Sequence, residues 1–211
     1  MGYDAHFGHG RKGDTKLMEK LARENGFLFK KMGPVMIGKR AASSSWVREL
    51  LMKGEIEKAQ RCLGRPFSLF GKVVHGKGHG SHLGFPTANL DVHSEILLPS
   101  GVYIASGRFL KGSLMVSDTI LGKRCLTPFL TGVMNYGKRP TYPKNETPRP
   151  ILELHLLGFK GKVYGEMMEI ALHRFLRPEK RFPSEEALKA QISLDVQEAR
   201  LYYLKRSWKA S

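Results

Sequence analysis

From Phe67 onward, apolar and polar residues alternate in short runs broken by Gly, Pro, Asn and Asp. This period of two predicts strands at 68–74, 101–108, 113–116, 130–134, 151–157 and 166–175. Strands in this number without alternating helices imply a mainly β fold, a closed or nearly closed antiparallel barrel. In the run 151–157, Leu152, Leu154 and Leu156 fall on one face, and Glu153 and His155 fall on the other. The period then changes. Pro183-Ser184-Glu185-Glu186 is a capped helix start, and Leu188, Ile192, Val196, Ala199 and Tyr203 form one apolar stripe behind it. At about 1.5 Å per residue this helix spans roughly 30 Å, enough to cross one face of a barrel.

Residues 1–64 are patterned differently. A glycine-rich opening leads to an amphipathic helix at 15–25, with Leu17, Met18, Leu21 and Ala22 on one side and Gly26 as its stop. Ser43, Ser44 and Ser45 cap a second helix that Gly54 ends, and a third at 55–63 carries Ile56, Ala59 and Leu63. Gly64-Arg65-Pro66 marks the expected boundary between a segment at 1–64 and a domain at 65–211.

The chain has 211 residues, enough for one full core with something left over. No apolar run reaches the length of a membrane span, and the opening residues hold no apolar signal segment. Two cysteines, Cys62 and Cys125, do not frame a disulfide fold, so the expected setting is reducing and cytoplasmic. The net charge of +16 raises nucleic acid as a partner. The basic residues are spread along the chain, however, without zinc-finger spacing or an aromatic RNA-binding signature. A protein that handles polyphosphates uses the same positive surface.

Candidate chemistry concentrates between Gly71 and Asn89. Gly76, Gly78, Gly80 and Gly84 permit positive φ and close approach, so that successive N–H groups can converge on an anion, with charge added by Lys77, His79 and His82. Pro86 fixes one backbone angle. Thr87 and Asn89, two apart in an extended segment, offer two neutral oxygens on one side, which suits Mg²⁺ beside nucleotide phosphates. The stretch matches neither the P-loop nor the dinucleotide-binding template. Taken alone, it reads equally as a tight hairpin with a hydrogen-bonded turn. Glu153 is the candidate to orient or deprotonate an attacking hydroxyl, although by pattern alone the exposed face of an edge strand is the commoner reading.

Three separated segments resemble the riboflavin kinase family, in the family's order. The first is His75-Gly-Lys-Gly-His-Gly-Ser-His-Leu-Gly-Phe-Pro-Thr-Ala-Asn-Leu90, the second is Glu153-x-His155 followed by Tyr164-Gly165-Glu166, and the third is Arg177-Pro-Glu-Lys-Arg-Phe182. The resemblance implies a six-stranded Greek-key barrel that transfers the γ-phosphate of ATP to the 5′-hydroxyl of riboflavin, giving FMN and ADP. It implies Glu153 as catalytic base and Thr87 and Asn89 as holders of Mg²⁺ or another divalent ion. Nucleotide contacts would come from Gly76, Lys77, Gly78, Gly80, Ser81, His82, Pro86, Thr87, Asn89 and Tyr164, and flavin contacts from Arg177, Lys180 and Phe182. Ser81 stands where many bacterial members carry Arg. The segment 132–141 resembles another family stretch near the active site, with Asn135 and Arg139 as contacts or as parts of a structural turn.

The opening segment resembles a later part of the FMN adenylyltransferase domain that precedes the kinase in bifunctional bacterial enzymes. Gly2, Asp4, Phe7, Gly8, Gly13 and Asp14 match one motif, and Ser44, Ser45 and Arg48 match another. His6-Phe-Gly-His9 fits the nucleotidylyltransferase pattern but lacks the preceding strand such a site needs, and adenylyl transfer is not expected. The competing readings are the bifunctional enzyme, told apart by FAD formation, and a barrel that binds flavin or RNA without turnover.

Overall fold

The computed structural model describes residues 1–76, 78–92, 98–111, 114–116, 119–121, 125–138 and 150–207. The chain forms two compact units, Met1–Trp46 and Val47–Ser211. Lys77 and Arg139, both named above, lie outside the described residues.

In the first unit, α1 (Thr15–Asn25) is capped by the Asp14 carboxylate, which accepts from the Leu17 N–H at 2.8 Å. That bond holds the Asp14 carboxyl below the usual carboxylate range. Gly26 ends the helix in the left-handed conformation at φ 70°. A two-residue hairpin of β1 (Met36–Ile37) and β2 (Arg40–Ala41) follows. His6 and His9 are exposed, with His9 opening a single 3-10 turn. The start of α2 (Ser44–Met52) ends this unit, and the Ser43 hydroxyl accepts from the Trp46 N–H.

The second unit opens with the rest of α2 and with α3 (Ile56–Leu63), which the sequence grouped with the segment before residue 65. It continues through β3 (Phe67–Val74), the one-turn α4 (His79–His82), β4 (Ala88–Asp91) and β5 (Gly101–Lys111). A small hairpin of β6 (Leu114–Val116) and β7 (Thr119–Leu121) precedes β8 (Cys125–Leu126). Then come β9 (Leu130–Lys138), β10 (Pro150–Leu156), β11 (Met167–Pro178) and α5 (Glu185–Ser207).

Strand order β11-β3-β4-β10-β9-β5, with β5 pairing back onto β11, closes a six-stranded barrel in which every pairing is antiparallel. Three consecutive strands, β5, β9 and β10, lie side by side while β4 crosses to β10, a Greek-key connection. The alternation predicted for 151–157 decides what fills it. Leu152 and Leu154 are fully buried inside with Met134, Tyr103, Met168 and Ile170. Tyr103 meets Phe175 edge to face at 5.1 Å.

Outside the barrel, α5 lays Val196, Ala199 and Tyr202 on Val102, Ile104 and Val133, and the Tyr203 hydroxyl donates to the Ala105 carbonyl at 2.7 Å. β11 departs from regular pairing with β5 between Leu172 and Arg174 and again between Phe175 and Arg177. Gln60 of α3 steadies the first departure, its amide donating to the Leu172 and His173 carbonyls at 2.7 and 2.9 Å.

The expected strand number holds, but its membership changes. The run 113–116 contributes β6, which pairs with β7 in a separate two-stranded sheet. Its place in the barrel is taken by β4, whose four residues follow a proline and mix polar with apolar positions, so they read as a corner.

Candidate active site

One row of cross-strand partners organises the outer face of the barrel. Val74 pairs with Asn89, Asn89 with Glu153, Glu153 with Asn135, Asn135 with Val102, and Val102 with Arg177. Directly opposed residues share a face. The glycine stretch, the β10 acid and the 177–182 loop therefore meet at one level although they lie far apart in sequence. Around them is a cavity of about 640 Å³. Thr87, His79, Asn135, Glu153 and His155 form its polar end. Arg177, Lys180 and Phe182 lie at the other, and Val102, Val133, Leu188, Ile192 and Val196 form an apolar wall between the ends.

The glycine stretch is a folded cover. Gly78 takes φ +75° and Gly84 +87°, as its sequence implied. Gly76 and Gly80 do not, and close approach accounts for them instead. A Cβ on Gly76 would lie 2.1 Å from the Asn89 amide nitrogen, and one on Gly80 would lie 2.5 Å from the Phe85 carbonyl oxygen and 3.1 Å from the Thr87 hydroxyl. The N–H groups of Ser81 to Phe85 already donate to carbonyls within the stretch, for example Phe85 to Gly80 at 2.7 Å. These five amides are therefore not available to an anion. Ser81 and His82 are exposed and do not line the cavity. Leu83 and Phe85, not singled out in the sequence, do line it.

His155 ties this cover to the barrel. Its Nδ1 lies 2.8 Å from the Pro86 carbonyl oxygen, and its ring meets Phe85 edge to face at 5.5 Å. Tyr164 is more than half exposed and stacks on His75, with ring centroids 3.8 Å apart, at the foot of the cover. Around that contact the Gly165 N–H donates to the Val73 carbonyl and the Val73 N–H to the Glu166 carbonyl, both at close to 2.9 Å, so the 164–166 turn grips the end of β3.

Glu153 is held where a carboxylate is costly. Burial raises its pKa above the usual carboxylate value, and the electrostatic interaction with His79 offsets this only in part. A carboxylate that is half desolvated, rimmed by two asparagines in register and open to a cavity, is suited to taking up a proton.

The opposite wall is built around Arg177. Its guanidinium donates to Asp195 of α5 through Nε at 3.0 Å and Nη2 at 2.7 Å, and Asp195 is only 5% exposed. Lys180 donates to the Gln191 side-chain oxygen, and the Phe182 ring lies 5.8 Å from the Arg177 guanidinium carbon and 5.1 Å from the Lys180 nitrogen. Glu179 rests on Gly137, where a Cβ would come within 2.2 Å of its carboxylate oxygen. The sequence pointed to none of Glu179, Gln191 and Asp195. For Asp195 there was a signal, because it is three residues after Ile192 and four before Ala199, an acid on the apolar stripe of α5.

A closed barrel with a glycine cover on one side of a cavity and a cationic, aromatic loop on the other defines a small-molecule site. Residues 63–203 match the family model described as Flavokinase: Riboflavin kinase, and the chain belongs to that family. It is 32% identical over 203 residues to the bifunctional riboflavin kinase/FMN adenylyltransferase of Haemophilus influenzae, covering 96% of this chain and 60% of that protein. It is 36% identical over 203 residues to the protein of the same description from Escherichia coli K12, covering 96% and 59%. The chain thus spans about 60% of the length of these relatives. The crystal structure of a macrolide-efflux protein from Streptococcus pneumoniae shares the fold, with a TM-score of 0.73 at 24% identity over 94% of this chain and 58% of that one.

Proposed function

We propose that this chain phosphorylates riboflavin, consuming ATP and releasing FMN and ADP. The observation that carries the reading is the half-buried Glu153 opening into one cavity between the glycine cover and the Arg177–Phe182 wall. The glycine cover and Thr87 would take the triphosphate, and the Phe182 wall the flavin ring. The 5′-hydroxyl of riboflavin would then lie beside Glu153. Its carboxylate accepts the hydroxyl proton, the oxygen bonds to the γ-phosphorus, the bond from that phosphorus to the bridging oxygen breaks, and ADP leaves. His155, through Pro86, keeps the cover at the distance this alignment needs. The proposed setting is the cytoplasm; no helix among the described residues is long and apolar enough to cross a membrane.

The residues fit a divalent ion. Thr87 and Asn89 carry neutral oxygens, Thr87 beside Gly80 at the cavity and Asn89 against Gly76, each where a Cβ on the glycine would crowd it, and Mg²⁺ takes few protein ligands beside phosphate. Bound there, it would neutralise phosphate charge. Asn89→Ala should raise the Mg²⁺ concentration needed for half-maximal rate, and an unchanged requirement counts against this assignment. Gly76→Ala pushes a methyl into the Asn89 amide and should raise the KM for ATP while leaving riboflavin binding near normal, as flavin fluorescence would show.

The deciding experiment incubates the chain with riboflavin, ATP and Mg²⁺ and separates the flavins by chromatography. FMN as sole product supports the proposal. FMN followed by FAD supports the bifunctional reading that the relatives' descriptions raise. Unchanged riboflavin with folded protein removes the kinase reading.

A further inference from the structure

The flavin-side wall is a preformed surface whose shape is set from behind. Arg177 and Lys180 face the cavity, yet both already donate to side chains of α5. Asp195 accepts two donors from the Arg177 guanidinium and a third from the Gln191 amide at 3.0 Å, and the Gln191 oxygen accepts from Lys180. One turn of helix separates Gln191 from Asp195, so they stand on the same face of α5 and hold both ends of the 177–180 segment. The second irregularity of β11, between Phe175 and Arg177, sits just before this segment, where such a departure re-aims a side chain. The Phe182 ring is flanked by the two cations so anchored.

We infer that Asp195, aided by Gln191, is a positioning residue for the flavin ring: it fixes Arg177 and Lys180, and through them Phe182, in the conformation that receives the substrate before the substrate arrives. The inference rests on the proposed riboflavin site. Its physical basis is pre-organisation. A guanidinium held by a buried bidentate carboxylate loses no conformational freedom when the ligand binds, and an untethered one does.

The test is Asp195→Asn in the full chain, with steady-state kinetics in each substrate and riboflavin affinity from fluorescence quenching. Asn keeps the shape and one acceptor but loses the charge and the fork. The expected result is a rise of about ten- to a hundredfold in KM and Kd for riboflavin, with the KM for ATP unchanged. Asp195→Glu should recover part of the loss. Gln191→Leu, on the half-exposed side of α5, is the second variant and carries the test if Asp195→Asn does not fold. It should raise the riboflavin KM alone, by a smaller factor. Riboflavin affinity unchanged in the variants overturns the inference, and so does a parallel loss for both substrates. Both of those outcomes leave the kinase reading standing. A wild-type chain that neither binds nor phosphorylates riboflavin overturns both.

Discussion

Glu153→Gln should retain ATP and riboflavin binding and turn over at least about a hundredfold more slowly. The amide fills the same space between Asn89 and Asn135 but accepts no proton, so the loss falls on kcat while both KM values stay close to normal. The pH profile gives a second check. Burial lifts the Glu153 pKa, so the wild-type rate should begin to fall, as pH is lowered, above the range where an ordinary carboxylate titrates. The residual rate of the variant should lack that limb. Near-normal turnover of the variant would remove Glu153 from the mechanism.

The second large effect lies one residue away and has the opposite sense for stability. Leu154 is fully buried in the barrel beside Met134. Leu154→Ala should cost about 2–5 kcal/mol, because the closed wall cannot collapse onto the void. That is a large share of the roughly 5–15 kcal/mol that holds a domain folded. It should appear as a lower urea midpoint with an unchanged slope. Glu153→Gln should instead raise the midpoint at neutral pH. A carboxyl whose folded pKa is raised favours folding only while protonated, and that advantage is lost as pH rises through the folded value. The difference between variant and wild type should therefore shrink as pH falls towards the ordinary carboxylate range. A stabilised Leu154→Ala, or a Glu153→Gln destabilised at neutral pH, would contradict the assignment of the two faces.

That opposition was legible in the sequence because β10 alternates strictly, and for the same reason α1 and the start of α5 were readable from their caps and stripes. β4 was not, since four residues behind a proline carry no period long enough to read. Nor was the separate pairing of β6, because alternation reports a strand and says nothing about its partner. In the site, the glycines were evident but half their reasons were not. Positive φ is inferred from residue type, whereas the contacts of Gly76 with Asn89 and of Gly80 with Phe85 exist only once the cover is folded. Asp195 belongs to no motif, and its place beside the apolar stripe of α5 is the one sign that an acid there needs a buried partner.

The closed ring of strands also acts as a ruler. From Glu153 to Arg177 the shared level runs across β9 and β5, three strand steps of about 4.8 Å each, or roughly 14 Å along the curved wall. Closure leaves no strand free to slide, so this span is as constant as the hydrogen-bond register. A ligand gripped at the arginine end brings its far terminus to the carboxylate only if its length matches. On the riboflavin reading proposed above, selection would then be a measurement of side-chain length, made by the barrel's circumference.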